Sequence, residues 1–252
     1  MGAIAGGLFV RTENAKLKSF LPILIFFIII PLLFTKSRSS YLALIPTLFV
    51  VALMFRQRII ITGLMAAVLL LSPIFLPSSV KDRILYTFKQ EKSSGQVQIG
   101  EIRLDTSTSA RIISLKTLLQ DYPKHPLLGY GITGHQFIDA QYPKVLIETG
   151  IIGLIAFLYL LYSILKMALA HMKAVKTHLF KGLTIGFFAG YIGLLFHAIG
   201  ANTFIIVRIM EPFWFFAGII AVLPELERQS EMQPEESSRR TRKFADATPL
   251  PS

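Results

Sequence analysis

Long apolar runs separated by short basic stretches set the pattern of this chain. The first run, Phe20 to Phe34, reads FLPILIFFIIIPLLF. It is shorter than the about 20 residues a helix needs to cross a bilayer. Lys16 and Lys18 ahead of it can extend it by laying their stems along apolar surface with the ammonium groups in water. TKSRSS separates it from a second run, Tyr41 to Phe55, and Arg56-Gln57-Arg58 precedes a third, Ile59 to Leu76. Three closely spaced helices are therefore predicted over 1–77. From 78 to 144 the pattern changes to charges of both signs, Gly, Pro and polar residues, with no apolar run long enough to cross. Within it, ARIISLKTLL (Ala110 to Leu119) places Ile112, Ile113, Leu115, Leu118 and Leu119 on one helical stripe after a Ser/Thr-rich stretch. That spacing predicts a short amphipathic helix in an otherwise irregular extramembrane loop. Val145 to Ala170, Leu183 to Val207 and Pro212 to Leu223 supply three more apolar segments over 145–223, the last short and carrying Trp214, a residue suited to an interface. The tail over 224–252 is charged and poor in large apolar residues, which predicts disorder. The expected fold class is an all-α integral membrane protein with about six transmembrane helices and a large extracytoplasmic loop.

Composition strengthens this reading. Only 16% of the 252 residues are charged and 53% are hydrophobic, against about a quarter charged in an average soluble domain. The chain has no cysteine, so disulfides, thiol catalysis, iron–sulfur clusters and Cys-ligated zinc are excluded. A net charge of +11 on a soluble protein would point to nucleic acid. On an apolar chain it fits basic cytoplasmic loops and attraction to anionic headgroups or phosphates, and no nucleic-acid partner is expected. Counting Lys and Arg in alternate short loops, Arg11, Lys16, Lys18, Arg56, Arg58, Lys166, Lys173, Lys176 and Lys181 fall on one side. Only Lys36, Arg38 and Arg208 fall on the other, which puts both termini in the cytoplasm and the 78–144 loop outside. Met1 to Val10 is too short, and lacks the basic leader, for a signal peptide. It reads as the last turns of a helix whose beginning is missing, and the chain as the C-terminal part of something longer.

The polar residues of chemical interest gather on the external face. Gly129-Tyr-Gly131-Ile-Thr-Gly134 matches G-x-G-x-x-G, but a dinucleotide site needs a strand before it and a helix opening at it. The glycines are better read as permitting a tight turn and close backbone approach. Arg38, Arg111 and Arg208 lie on this face beside Lys116. A single arginine at a helix end is ordinarily an interfacial anchor. Three together suit a diphosphate, held by charge-assisted and often bidentate hydrogen bonds. His125 next to Pro126 reads as a turn residue. His135 is a candidate general base or simply a loop histidine, and Asp139 lies close to it in sequence. Glu148 sits about one turn inside the next apolar segment. A carboxylate costs roughly 2.5–3.5 kcal/mol at a bilayer centre and less near its edge, so Glu148 needs a partner and suggests function. His197 and Asn202 are read as interhelical hydrogen-bonding residues. No Asp/Glu cluster resembles a metal site, and no cofactor is expected.

Taken in order, these residues resemble a family. TKSRSSYLAL in an early span, then Arg111, HPLLGYGITGHQF and IDAQYPKVLIETGIIGLIAFLYLL look like the C-terminal core of the O-antigen ligase and polymerase superfamily over about residues 35 to 223. These are bacterial membrane glycosyltransferases of cell-surface polysaccharide synthesis, including lipopolysaccharide. They use undecaprenyl-diphosphate-linked glycans on the outer side of the cytoplasmic membrane. The resemblance matches Arg38 to a Ser-Arg motif, Arg111 to an arginine of the external loop, and Gly129 and Gly131 to turn glycines. It matches Glu148, Gly150 and Gly153 to a motif at the start of a span. Asp139 and Ala140 stand where the family places His-Asn or Asp-Asn, so the acidic member is kept and the asparagine is lost. The family also has more spans than the about six expected here.

What the resemblance implies is a metal-independent, inverting transfer from an undecaprenyl-diphosphate-linked donor to a glycan or lipid A-core acceptor, within the lipid bilayer. Arg38, Arg111 and Arg208, with Lys116, would meet the diphosphate. Asp139, then His135 and Glu148, would serve as base. Two other classes stand beside this one. A transporter would carry several ionisable residues at mid-span or Gly/Pro-interrupted helix pairs, whereas a truncated, non-catalytic relic would leave the donor intact.

Overall fold

A computed structural model describes residues 1–34, 37–54, 98–99, 102–103 and 106–246. The described residues form helices α1 (Gly2–Arg11), α2 (Ala15–Phe34), α3 (Arg38–Leu53), α4 (Thr106–Asp121), α5 (Gln141–Ala174), α6 (His178–Gly200) and α7 (Val207–Asp246). A single 3-10 turn (Tyr122–Lys124) follows α4, and Gln98–Ile99 pairs antiparallel with Ile102–Arg103. Among the described residues, three helices are long and apolar enough to cross a membrane: Gln141–Ala174, His178–Gly200 and the Val207–Met232 part of α7. The first two apolar runs appear as α2 and α3, while the predicted helix over 59–76 lies outside the described residues.

Helix α6 is the hub. Lipid tails are as apolar as leucine, so helices in a bilayer associate through close packing of small residues rather than through exclusion of water. Gly182, Gly186 and Gly190 recur every fourth residue and form one smooth edge of α6. Helix α1 lies in that edge, where a Cβ on Gly186 would collide with the Ile4 backbone and one on Gly190 would meet the Ala3 methyl at 3.3 Å. Gly193 receives Thr47 of α3 in the same way. On its other side α6 packs against α5 and α7. Leu161, Ile164 and Ala168 meet Phe187, Tyr191, Met210, Phe213, Ala217, Ile220 and Leu223 there. The Phe187 and Tyr191 rings lie 5.6 and 5.4 Å from Phe213. Burial of Tyr191 is made tolerable by its hydroxyl, which donates to the Leu161 carbonyl at 2.8 Å.

Three sequence expectations change here. Helix α6 stops at Gly200 instead of reaching Val207, because the next residues turn to hydrogen bonding outside the helix. Asn202 Nδ2 donates to the Ile138 carbonyl at 2.7 Å, and the Phe204 N–H donates to the Gln141 side chain at 2.9 Å. The tail is helical to Asp246 rather than disordered over 225–246. Glu227 is buried and accepts from the N–H groups of Lys176 (2.9 Å) and Thr177 (2.6 Å) in the turn before α6. Finally, α4 starts at Thr106 and buries only Leu118 of its expected stripe, leaving Ile113, Leu115 and Leu119 exposed.

Replacing Gly186 by leucine should cost about 1–3 kcal/mol, the usual penalty of overpacking, and lower the melting temperature of the purified protein in detergent. An unchanged melting temperature would show that α1 does not seat on this edge.

Candidate functional site

Helix α5 is not one rod. Gly150 has φ 67° and ψ −170°, so the helix breaks between Thr149 and Ile151. A break strands backbone groups that a regular helix would pair, and near a bilayer such groups must be satisfied by other protein groups. The segment 126–131 supplies them. The Tyr130 N–H donates to the Ile147 carbonyl at 2.9 Å and the Gly131 N–H to the Glu148 carbonyl at 2.8 Å. In return the Ile151 N–H, displaced from Ile147, donates to the Pro126 carbonyl at 2.9 Å. The two glycine motifs thus interlock. A Cβ on Gly129 (φ 68°) would lie 2.6 Å from the Glu148 carbonyl carbon, and one on Gly150 would collide with the Leu127 carbonyl. Both positions demand glycine on conformation and on space. The G-x-G-x-x-G stretch follows a 3-10 turn and leads into further turns, so it lacks the strand and helix of a dinucleotide fold.

The loop is tied down by charge as well. His135, almost fully buried, places Nε2 3.1 Å from Asp121 Oδ2 and Nδ1 3.3 Å from the Gln136 carbonyl. Lys124 donates to the other Asp121 oxygen at 2.6 Å, and the Tyr130 hydroxyl donates to the Asp121 backbone carbonyl at 3.0 Å. Hydrogen bonds from Lys124 first, and then from His135, hold the Asp121 carboxyl below its ordinary range. Asp121 in turn raises Lys124. Glu148 is mostly shielded, accepting from Lys144 Nζ at 2.5 Å and from the Thr133 N–H at 3.2 Å. His135 thus meets the end of α4, and Glu148 meets the loop and the first turn of α5.

Asp139 has different company. Arg111 Nη2 lies 3.0 Å from Asp139 Oδ2, both side chains partly exposed. They line a cavity of about 350 Å³ whose other walls include Ile112, Leu115, Ile138, Tyr142 and Ile199. Arg111 Nε is buried with no partner among the described residues. The segment carrying Asp139 is fixed from α6 and the residues just after it: Asn202 holds the Ile138 carbonyl, Tyr142 donates to the Leu195 carbonyl at 2.9 Å, and His197 contacts Thr203 at 2.7 Å. Ser39 donates to the Gly200 carbonyl at 3.1 Å, bringing the start of α3, and so the Arg38 backbone, to this end of α6. The Arg38 side chain lies outside the described residues. Lys116 is exposed on α4 and does not line the cavity. Arg208 is not with Arg111 either. It stands at the start of α7, exposed, on a separate cavity of about 310 Å³ between α1, α6 and α7.

Ser39, Gln141, Tyr142 and the Asp121–His135 contact were not singled out by sequence reasoning. Only the Lys144–Glu148 pair carried a readable signal, the (i, i+4) spacing of opposite charges. Because the Asp121 carboxyl is lowered in the fold, its contribution to stability is complete above the ordinary aspartate range and is lost as pH falls through the lowered value. Melting curves of Asp121→Asn and the parent should therefore differ at pH 7 and converge as the medium is acidified below the carboxylate range. Equal curves throughout would remove this brace.

A family model described as O-antigen ligase (Wzy_C) matches residues 23–158, more than half of the chain. No curated protein matches the chain. No solved structure does either. The matched segment holds the interlocked glycine motifs, Arg111 and Asp139 together, and the chain belongs to the O-antigen ligase family.

Proposed function

We propose that this protein is a membrane glycosyltransferase that ligates or polymerises glycan from an undecaprenyl-diphosphate-linked donor. The observation that carries the reading is the Arg111–Asp139 pair on the wall of a cavity with apolar sides. It combines a fixed cation, a carboxylate and lipid-compatible surface in one place. In the reaction, an acceptor sugar hydroxyl attacks the anomeric carbon of the donor glycan. The new carbon–oxygen bond forms as the bond to the diphosphate oxygen breaks, and undecaprenyl diphosphate departs with the electron pair. A single displacement of this kind inverts the anomeric centre.

Negative charge grows on the departing diphosphate, so fixed guanidinium donors stabilise the transition state more than the ground state. Arg111 is the first candidate. One of its terminal nitrogens engages Asp139, which leaves N–H donors of the other terminal nitrogen for phosphate oxygens. Arg38 is assigned to the same diphosphate from the start of α3, which Ser39 holds against the end of α6. Guanidinium charge in this role makes the transfer metal-independent. Asp139 takes the acceptor proton as general base. Its contact with Arg111 holds the carboxylate in the cavity wall. His135, paired with Asp121 at the end of α4, and Glu148, paired with Lys144 in α5, are assigned to positioning rather than to proton transfer. Arg208 and Lys116 stand outside the Arg111 cavity and are secondary. The active face is extracytoplasmic, both termini are cytoplasmic, and the membrane is the bacterial cytoplasmic membrane. The acceptor is another glycan or lipid A core.

The test is surface glycan in a strain that lacks the chromosomal copy and carries either the parent or Arg111→Ala. The variant should accumulate to the parental level in the membrane. Polymer or ligated glycan should fall by about 10²-fold or more, the scale of losing one preorganised charge-stabilising donor. Normal glycan from the variant would refute the assignment.

A further inference from the structure

The loop that repairs the break in α5 presents apolar side chains outward. Leu127 is 60% exposed, Leu128 74%, Ile132 81% and Phe137 68%. One exposed leucine is ordinary on any protein. Four large apolar side chains within so short a stretch mark a surface that is covered by something.

Three observations identify the cover. The first is depth. Glu148 and Lys166 bracket a stretch of α5, Thr149 to Leu165, that carries no charge. At 1.5 Å per residue it spans roughly 26 Å, close to the about 30 Å of a hydrocarbon core. The loop is hydrogen-bonded to residues 147–151, so it stands level with the outer end of that stretch. The second is continuity. Ile152 and Ile155, at the top of the same stretch, are also exposed, so the apolar surface of the helix runs on into the loop. The third is charge. Lys124, exposed and paired with Asp121, precedes the loop, and the Lys144 ammonium, paired with Glu148, sits 5.6 Å from the centroid of the Phe137 ring, so cationic groups stand at the edge of the apolar patch where anionic headgroups would lie. The backbone bonds of the loop fix this presentation.

We infer that Leu127, Leu128, Ile132 and Phe137 form a rigid wedge seated in the bilayer interface on the side where α5 begins. The occupant of this surface is lipid acyl chain, with headgroup phosphates around Lys124. Phe137 is two residues from Asp139, so seating the wedge sets Asp139 and Arg111 at headgroup depth. That last consequence rests on the function proposed above, whereas the wedge itself does not.

The absence of cysteine makes the test direct. Single cysteines at Leu128→Cys and, in case that variant fails to fold, at the more exposed Ile132→Cys are labelled with an environment-sensitive fluorophore. The full chain is placed in nanodiscs containing anionic phospholipid with a shallow nitroxide-labelled lipid. Ile155→Cys serves as the lipid-facing reference and Gln229→Cys as the aqueous one. The wedge predicts a blue-shifted emission and quenching several-fold stronger than at Gln229→Cys, approaching that at Ile155→Cys. Emission and quenching equal to the Gln229→Cys label would overturn it. So would a label shielded from aqueous iodide but untouched by the nitroxide lipid, which would mean that protein and not lipid covers the loop. Neither readout depends on glycan transfer, so loss of activity in Arg111→Ala and failure of the wedge are separable.

Discussion

A broken helix next to a bilayer must have its backbone hydrogen bonds made good from elsewhere in the protein, and the rest of this site follows from how that is done. At Gly150 the α5 ladder stops, leaving the Ile147 and Glu148 carbonyls and the Ile151 N–H in need of partners. The 126–131 segment meets all three. The exchange therefore ties the loop to the membrane end of the helix far more firmly than loop residues alone would. The left-handed backbone at Gly129 and Gly150, and the lack of a Cβ at either, are what allow the two segments to come so close.

From this lock the other features are arranged outward. On one side, Lys124, Asp121 and His135 brace the loop against the end of α4, the helix that carries Arg111. On the other, the chain leaves the loop through Ile138 and Asp139 into α5, and Asn202 and Gln141 fasten that passage to the unwound end of α6. Arg111 and Asp139 meet because two separately anchored segments converge. Helix α6 reaches this point because its glycine edge lets α1 and α3 pack close to its axis while its other side carries the aromatic core. Small-residue packing and aromatic packing thus position a polar site that neither composes.

Much of this was legible in the sequence, and for physical reasons. Apolar runs located α2, α3, α5 and α6 because membrane helices are dictated by length and composition. Arg111, Asp139, Gly129 and Glu148 stood out because charge, or glycine clustered in a polar loop, is unusual beside such runs. Long-range partners were not legible. Asp121 and His135 are separated by an intervening turn, and nothing in their spacing announces a contact. Arg208 reads like Arg111 in sequence, yet it opens a different helix on a different cavity. The tail misled because a charged, Pro-containing segment has the composition of a disordered one, while a single buried residue, Glu227, ties its first turns to the turn before α6. Glu148 drew attention as an isolated carboxylate, and the structure supplies Lys144 and the Thr133 N–H as its partners.

The claim on which everything depends is the backbone exchange at Gly150, and amide hydrogen exchange of the full chain in nanodiscs measures it most directly. If the loop is locked as described, the amides of Tyr130, Gly131 and Ile151 exchange as slowly as those in the middle of α6. Rapid exchange at Tyr130 and Gly131, with Ile151 protected by an unbroken helix, would contradict the account.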